Sequence, residues 1–196
     1  MDDVLRKRLD LFLADLRTKT AADIFNKHVV EQDCFAINAE EHDAIKQAVA
    51  KQFDMPDGDI IIVGSGKLGF TLVDKSTDRR HRPRYSPFDD LSDIDVAIIN
   101  ELLFDDYWDH GFALFRSGVY WPDRERFQSY LLRGWINPKL LLDTPAARPV
   151  QEWKTFLRKL TRSGTCGDYP INAAVYRAEK FLNAYQCDTI EKLKSI

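Results

Sequence analysis

Apolar side chains recur every three or four positions through the first 54 residues, a spacing that predicts amphipathic helices. A second helical segment is expected from Thr20 onward. Asn38 is followed three residues later by Glu41, which has the form of a helix N-cap with its reciprocal partner. We therefore expect a helical N-terminal segment over residues 1–54, with its third helix beginning just after Asn38.

The pattern then changes to short, continuous apolar runs. Ile60–Val63 lies between turn-forming residues, and Ile94–Ile99 is interrupted only by Asp95. Runs of this length and character predict strands buried on both faces. Residues 74–93 between them are too polar for a core, and we expect a loop there. Ile171–Tyr176 is the candidate third strand.

Most of residues 100–196 again has helical spacing. Helices are predicted after Asn100, after Pro122 and from Val150 onward, and the proline-rich stretch 134–149 is expected to connect two of them. Asp188, followed by Glu191, predicts the start of a short last helix. The order of these elements predicts an α+β fold, a small mixed β-sheet with a helix-rich surround, in a single domain over residues 1–196.

Composition excludes several classes of protein. The 196 residues are 44% hydrophobic and carry a net charge of −3, so the chain can form a core and shows no global attraction to nucleic acid or to anionic membranes. Its three cysteines form no CxxC pair, which argues against a zinc site or a disulfide framework. The charged N-terminus and the lack of a long apolar run predict a cytoplasmic protein without membrane insertion.

Candidate chemistry lies where the two predicted central strands meet their turns. Gly64 and Ser65 directly follow the first strand, and backbone N–H groups in such a turn can hold a phosphate. Asp93 and Asp95 stand two residues apart at the start of the second strand, so their side chains point to one face. Adjacent carboxylates repel unless a cation lies between them, and hard oxygen ligands suit Mg²⁺.

These residues resemble a known signature. Val63-Gly64-Ser65, followed by Ser92-Asp93-Ile94-Asp95, is similar to the motif of the DNA polymerase β superfamily of nucleotidyltransferases, and to its minimal members. The resemblance covers residues 60–99 and implies a small mixed sheet, Mg²⁺ and a nucleoside triphosphate. It implies that Asp93 and Asp95 ligate the metal and that Gly64, Ser65 and Ser92 lie at the substrate. Lys67 is either a phosphate contact from the same turn or a solvated lysine.

The sequence departs from that family in two respects. Ser65 and Asp93 are separated by 28 positions, more than in most members, because a basic segment lies between them. Many members also carry a third acid on a later strand, whereas 171–176 contains Asn172 and no carboxylate. Asp168 and Asp143 are weak candidates for that third acid, and we expect a site with two carboxylates.

Two further features have open interpretations. The basic segment, residues 75–84, carries five Lys or Arg and one Asp, and is either a solvated insertion or a binding site for phosphate-rich substrates. Aromatic side chains that could stack on bases have a helical spacing that favours a core position instead. They are Tyr107, Trp108, Trp121, Tyr130, Trp135 and Trp153.

The resulting hypothesis is a Mg²⁺-dependent nucleotidyltransferase whose acceptor hydroxyl belongs to a nucleic-acid end, a nucleotide or a protein. Chains of this size with this motif resemble those of bacterial toxin–antitoxin and anti-phage defence modules, which implies a homo-oligomer or an operon-encoded protein partner. One alternative is a non-catalytic, nucleotidyltransferase-like antitoxin or binding subunit. Another is an enzyme that modifies an antibiotic, although no acidic pocket for a cationic drug is evident.

Overall fold

The fold is described from a computed structural model, over residues 3–77, 80–144 and 148–195. Eight α-helices lie within these ranges. They are α1 (Asp3–Thr18), α2 (Ala21–Phe25), α3 (Ala39–Phe53), α4 (Gly64–Leu68), α5 (Glu101–Ser117), α6 (Arg124–Leu131), α7 (Arg148–Arg162) and α8 (Glu179–Lys194). A π-helical turn, Asn26–Glu31, continues α2, and short 3₁₀ turns cover Asp57–Asp59 and Pro138–Leu140.

Four of the seven described strands form a mixed sheet in the order β1-β4-β7-β5, and β2 and β3 form a separate hairpin. β4 is antiparallel to β1 and parallel to β7, while β5 is antiparallel to β7. The strands are β1 (Ile60–Val63), β2 (Lys75–Thr77), β3 (Arg80–Arg82), β4 (Ile94–Ile99), β5 (Trp135–Ile136), β6 (Thr165–Asp168) and β7 (Ile171–Tyr176). The small mixed sheet and the helix-rich surround that the sequence predicts are present.

Helices cover both faces of this sheet. One face packs against α3, α5 and α7, and its centre includes Ile62, Val96 and the fully buried Trp153. The other face packs against α1, α2 and α8, with Phe12 and Leu182 among its buried residues. Because both faces are covered, the strands are apolar almost throughout, as predicted for β1 and β4.

Local capping signals place the N-terminal helices where the sequence predicts them. The Asn38 side chain accepts the N–H of Glu41, whose carboxylate accepts the N–H of Asn38. Thr20 and Asp23 form the same reciprocal arrangement at the start of α2. Each pair satisfies backbone donors that the helix itself leaves free. The Asn100 side chain likewise caps α5.

Three expectations for secondary structure are wrong. The polar stretch 74–93 contains the β2–β3 hairpin as well as loop, because paired strands satisfy their backbone groups even where side chains are polar. The connection 134–149 contains β5, which pairs with β7. Asp188 lies in the middle of α8 and does not begin a helix, since α8 already starts at Glu179.

Most of the aromatic residues belong to the core, as their spacing favours. Trp121, Trp135, Trp153 and Tyr107 are buried, whereas 39% of the surface of Trp108 is exposed. Trp135 stacks against Tyr130, with ring centroids 3.8 Å apart. These rings therefore stabilise the packing of helices on the sheet.

None of the helices in the described ranges combines the length and the apolar character that crossing a bilayer requires.

Candidate functional site

The site residues converge at one edge of the sheet. Because β4 and β7 are parallel and β1 is antiparallel to β4, the start of β4, the start of β7 and the end of β1 meet there. β5 pairs with the last two residues of β7, and the chain that follows it reaches the site at Lys139. Asp95 lies opposite Val63 on one side and Asn172 on the other. Directly opposed residues share a face of a sheet, so Asp95 and Asn172 project together.

Gly64 allows the turn after β1 to approach this row of side chains. Its φ of +73° lies in the left-handed region that favours glycine. A Cβ at this position would lie only 2.7 Å from Oδ2 of Asp95. The turn therefore touches the carboxylate directly, and any side chain at residue 64 would displace one of the two.

Asn172 connects two of the charged groups. Its amide nitrogen donates a hydrogen bond to Oδ2 of Asp93, and its amide oxygen accepts one from Nζ of Lys139. Asp93 precedes β4, Asn172 lies in β7 and Lys139 follows β5, so three chain segments contribute. The amide thus fixes the orientation of the Asp93 carboxylate.

Lys139 supplies positive charge to both predicted catalytic acids. Its side chain is exposed as a whole, but desolvation of the ammonium group lowers its pKa, while Asp93 and Asp95 act to raise it. Both carboxylates therefore lie close enough to the Lys139 ammonium group to affect its pKa. The structure brings Asp93 and Asp95 together, as their spacing predicts.

Two tyrosines, Tyr176 and Tyr185, pack on the face of the sheet that also carries Asp95. Burial raises the pKa of Tyr176 and of Tyr185, and the negative charge of Asp95 raises both further. The ring centroids of Tyr185 and Trp135 are 5.5 Å apart. With their pKa raised, both phenols stay protonated at neutral pH.

Ser65 is buried, and its hydroxyl has no hydrogen-bond partner among the described residues. Such a group is uncommon in a folded interior, because an unpaired buried hydroxyl costs free energy. The hydroxyl can therefore accept or donate a hydrogen bond to a water or ligand held by the turn.

Lys67 is buried on the side of the turn that faces the N-terminal helices. Desolvation lowers its pKa, whereas Cys34 and Asp33 act to raise it, and its backbone oxygen accepts the N–H of Phe35. It is not the solvated lysine that one interpretation expected. A contact between Lys67 and substrate stays a prediction.

Ser92 joins the hairpin to the start of β4. Its buried Oγ accepts hydrogen bonds from Nη1 of Arg82 at 2.9 Å and from the N–H of Asp89 at 3.2 Å. Nη2 of Arg82 also donates to the backbone oxygen of Pro87. Ser92 thus holds the segment that carries Asp93, and its predicted contact with substrate is not tested by this geometry.

The candidates for a third acid differ in position. The β7 residue opposite Asp95 is Asn172, which is not an acid. Asp143 is exposed, and the side chain of Asp168 lies outside the described part of the structure. Within the described ranges, no group of three or more His, Cys, Asp or Glu is arranged to hold a metal ion.

Sequence reasoning missed Lys139, which lies in a stretch expected to be only a connection. Its sequence neighbours, Pro138 and Leu140, give no sign of a charged site. The pairing of β5 with β7 brings it to Asn172, and that pairing joins segments far apart in the chain. Lys139 could have been placed near the site only if Trp135–Ile136 had been predicted as a strand that pairs with β7.

Comparison with protein-family models, with curated proteins and with solved structures found no match to this chain. The chemistry of the site and the resemblance of its motif are therefore what point to a function.

Proposed function

We propose that this protein is a Mg²⁺-dependent nucleotidyltransferase. It would transfer a nucleoside monophosphate from a nucleoside triphosphate to an acceptor hydroxyl. The observation that carries the proposal is the contact between the Gly64 turn and Asp95, on the face that Asn172 shares. A phosphate-holding turn against a pair of carboxylates is the arrangement that nucleotidyl transfer requires.

The donor set fits Mg²⁺. Asp93 and Asp95 offer carboxylate oxygens, both within electrostatic reach of the Lys139 ammonium group, and Asn172 orients the Asp93 carboxylate. When bound, the ion would lower the pKa of the acceptor hydroxyl and neutralise charge on the leaving pyrophosphate. Lys139, whose ammonium group lies near both carboxylates, would then pair with a phosphate oxygen.

The residues of the chain orient the reaction. The N–H groups of the Gly64–Ser65 turn and the Ser65 hydroxyl hold the triphosphate. The acceptor oxygen forms a bond to the α-phosphorus, and the bond to the pyrophosphate oxygen breaks with its electron pair. The acceptor proton passes to the Asp95 carboxylate. Asn172 holds Asp93 but has no negative charge, so it does not act as a base.

The test is incubation of the pure protein with Mg²⁺ and each labelled nucleoside triphosphate, alone and with oligonucleotides or nucleotides. Pyrophosphate release and the size of the product report transfer. Asp93→Asn and Asp95→Asn should each abolish transfer, while their circular dichroism spectra stay those of the wild type. Asp10→Asn, an exposed acid of α1, is the matched control. Transfer by either site variant would refute the metal assignment.

The second candidate is a non-catalytic binding subunit of the kind found in antitoxins. Two observations favour it: Lys139 already balances the carboxylate pair, and β7 places an amide where many enzymes of this type have an acid. Isothermal titration with Mg²⁺ and a non-hydrolysable triphosphate separates the two. The enzyme should bind both cooperatively, whereas the binding subunit should bind neither.

A further inference from the structure

Exposed apolar side chains are concentrated on α5 and on the chain from there to the end of α6. Of the twelve large hydrophobic residues that are exposed in the described ranges, seven lie between positions 102 and 132. They are Leu102, Trp108, Phe112, Phe115, Val119, Tyr120 and Leu132. Single exposed apolar residues are ordinary, but their concentration on one part of a surface marks a site of interaction.

Three of these residues form an aromatic patch on α5. Trp108, Phe112 and Phe115 follow one another at intervals of four and three positions, so they lie on one face of the helix. The rings of Trp108 and Phe112 stack at an angle of 10°, with centroids 5.5 Å apart. About half of the surface of Phe112 and of Phe115 is exposed. A partner that covered the aromatic patch would therefore remove apolar surface of three large side chains from water.

The aromatic patch borders a cleft between α5 and α6. The cleft has a volume of about 150 Å³, and apart from Gln128 its lining is apolar or aromatic. Small-molecule sites are larger, roughly 300–1,000 Å³, and combine an apolar lining with several convergent polar groups. The size and the lining of this cleft suit a protein side chain and not a small ligand.

The charges beside the aromatic patch are divided between the two ends of α5. The acids of this helix all lie in its first nine residues, whereas its one Lys or Arg, Arg116, lies in the last turn. Asp109 and Arg116 are seven positions apart, about two turns, so they lie on one line along the helix beside Phe112. Both are exposed, and within the described ranges neither has an ion-pair partner. Asp105, by contrast, is paired with Arg177.

These charges define what can cover the aromatic patch. A partner must present a cation to Asp109 and an acid to Arg116, with apolar surface between the two. A nucleic acid does not meet this requirement, because its phosphates would be repelled by the acids of α5. The sequence of charges that does meet it is that of α5 itself, read in the opposite direction.

We infer that this face of α5 is the interface of a symmetric homodimer, in which α5 packs antiparallel against α5 of a second copy. A two-fold axis beside Phe112 places Asp109 opposite the partner's Arg116 and Arg116 opposite the partner's Asp109. The two aromatic patches meet at the axis between these ion pairs. An apolar centre with a charged rim is the usual composition of a protein interface.

The first experiment measures mass in solution by analytical ultracentrifugation over a series of protein concentrations. The wild type should sediment as a species of twice the mass of the chain. Phe112→Asp should raise the Kd of the dimer by about a hundredfold or more, because it places a charge at the apolar centre. Leu11→Asp is the matched control, since Leu11 is an apolar residue of similar exposure on α1, and it should leave the Kd unchanged.

The second experiment exchanges the two charges and so tests the antiparallel arrangement. Asp109→Arg and Arg116→Asp each oppose like charges twice across the axis, and each should raise the Kd by roughly tenfold. The double variant restores both ion pairs and should return the Kd to within about threefold of the wild type. Structural damage by the two substitutions would add instead of cancelling. Asp10→Arg on α1 is the control for charge reversal, and circular dichroism confirms that each variant is folded.

Three results would overturn the inference. One is a monomer at every concentration up to about 100 μM, which would leave the aromatic patch to a different protein. Another is an equal effect of Phe112→Asp and Leu11→Asp. The third is a double charge variant that dimerises more weakly than either single variant. No triphosphate or Mg²⁺ enters these measurements, so their outcome is independent of the proposed function.

Discussion

The side-chain amide of Asn172 donates a hydrogen bond to Oδ2 of Asp93, across a separation of 79 residues. This contact joins the start of β7 to the start of β4, where the parallel pairing of the two strands begins. The residue that orients one predicted metal ligand is thus an amide at a position opposite the other ligand, Asp95.

Replacement of the amide by an acid tests what the site can bind. Asn172→Asp would place a third carboxylate beside Asp93, and repulsion should lower the apo melting temperature by roughly 2–4 °C, about 1 kcal/mol for a chain of this size. Added Mg²⁺ should restore more stability to this variant than to the wild type. Thermal melts with and without Mg²⁺ measure both effects. Asn183→Asp on α8 is the control, and an equal response there would contradict the prediction.

Lys139 is expected to matter for the balance of charge at the site. Lys139→Met removes the ammonium group that acts on both Asp93 and Asp95, so repulsion between the carboxylates is no longer offset. We expect transfer to fall by about tenfold or more, since a charged contact is worth roughly 1.5–3 kcal/mol. Lys139→Arg should retain part of the activity. Initial rates at saturating triphosphate provide the measurement, and full activity of Lys139→Met would contradict the assignment.

Glycine is favoured at position 64 by two effects that can be measured separately. Gly64→Ala should lower the free energy of unfolding by about 1–2 kcal/mol, because alanine is strained in the left-handed backbone conformation of residue 64. The steric contact of the new Cβ with Asp95 should lower it further. Gly118, whose φ is +67°, has no heavy atom within 4 Å of its ideal Cβ position. Gly118→Ala therefore measures the backbone cost alone. Urea unfolding of both variants gives the difference, and equal losses would show that the Asp95 contact has no energetic weight.

Arg82 is expected to stabilise the fold, although its segment was predicted from the sequence to be too polar to form part of a core. Only 11% of its side chain is exposed, and it donates to Ser92 and to Pro87. Arg82→Ala should lower the free energy of unfolding by about 1–3 kcal/mol, because buried acceptors lose a charged donor. Arg158→Ala, an exposed position on α7, should change it little. Of the four arginines in this segment, Arg79 lies outside the described residues.

Asp15 should make the stability of the N-terminal helices depend on pH. Burial acts to raise its pKa, but hydrogen bonds from Lys27, His28 and Lys19 outweigh this and lower the pKa from 3.8 to about 2. A carboxyl whose folded pKa is lowered stabilises the protein above its unfolded pKa and loses that effect as the pH falls. The contribution of Asp15 is therefore complete above pH 3.8 and is lost as the pH approaches 2.

The variant Asp15→Asn should melt at a lower temperature than the wild type at pH 7, by roughly 5 °C. The difference should narrow as the pH falls below 3.8, since the wild-type carboxyl then becomes protonated as well. Melting curves across this range test the effect, with Asp10→Asn as the control. A difference that stays constant with pH would show that the ion pairs of Asp15 do not stabilise the fold.

Local sequence determined much of the secondary structure. The capping pairs at Asn38 and Thr20 act within one helical turn, and the apolar runs of β1, β4 and β7 reflect burial on both faces, so all of them are visible in the sequence. The spacing of Asp93 and Asp95 likewise predicted that the two carboxylates lie together. Such features depend on neighbours a few residues away.

Only the tertiary structure decided what surrounds those carboxylates. Lys139 and Asn172 reach Asp93 because β5 and β4 both pair with β7. β2 is short and polar, and β5 has only two residues in a stretch expected to be a connection. Neither strand can be recognised in the sequence without knowledge of the strand with which it pairs. Charge balance at the site is a long-range property, because residues far apart in the chain supply the opposite charges.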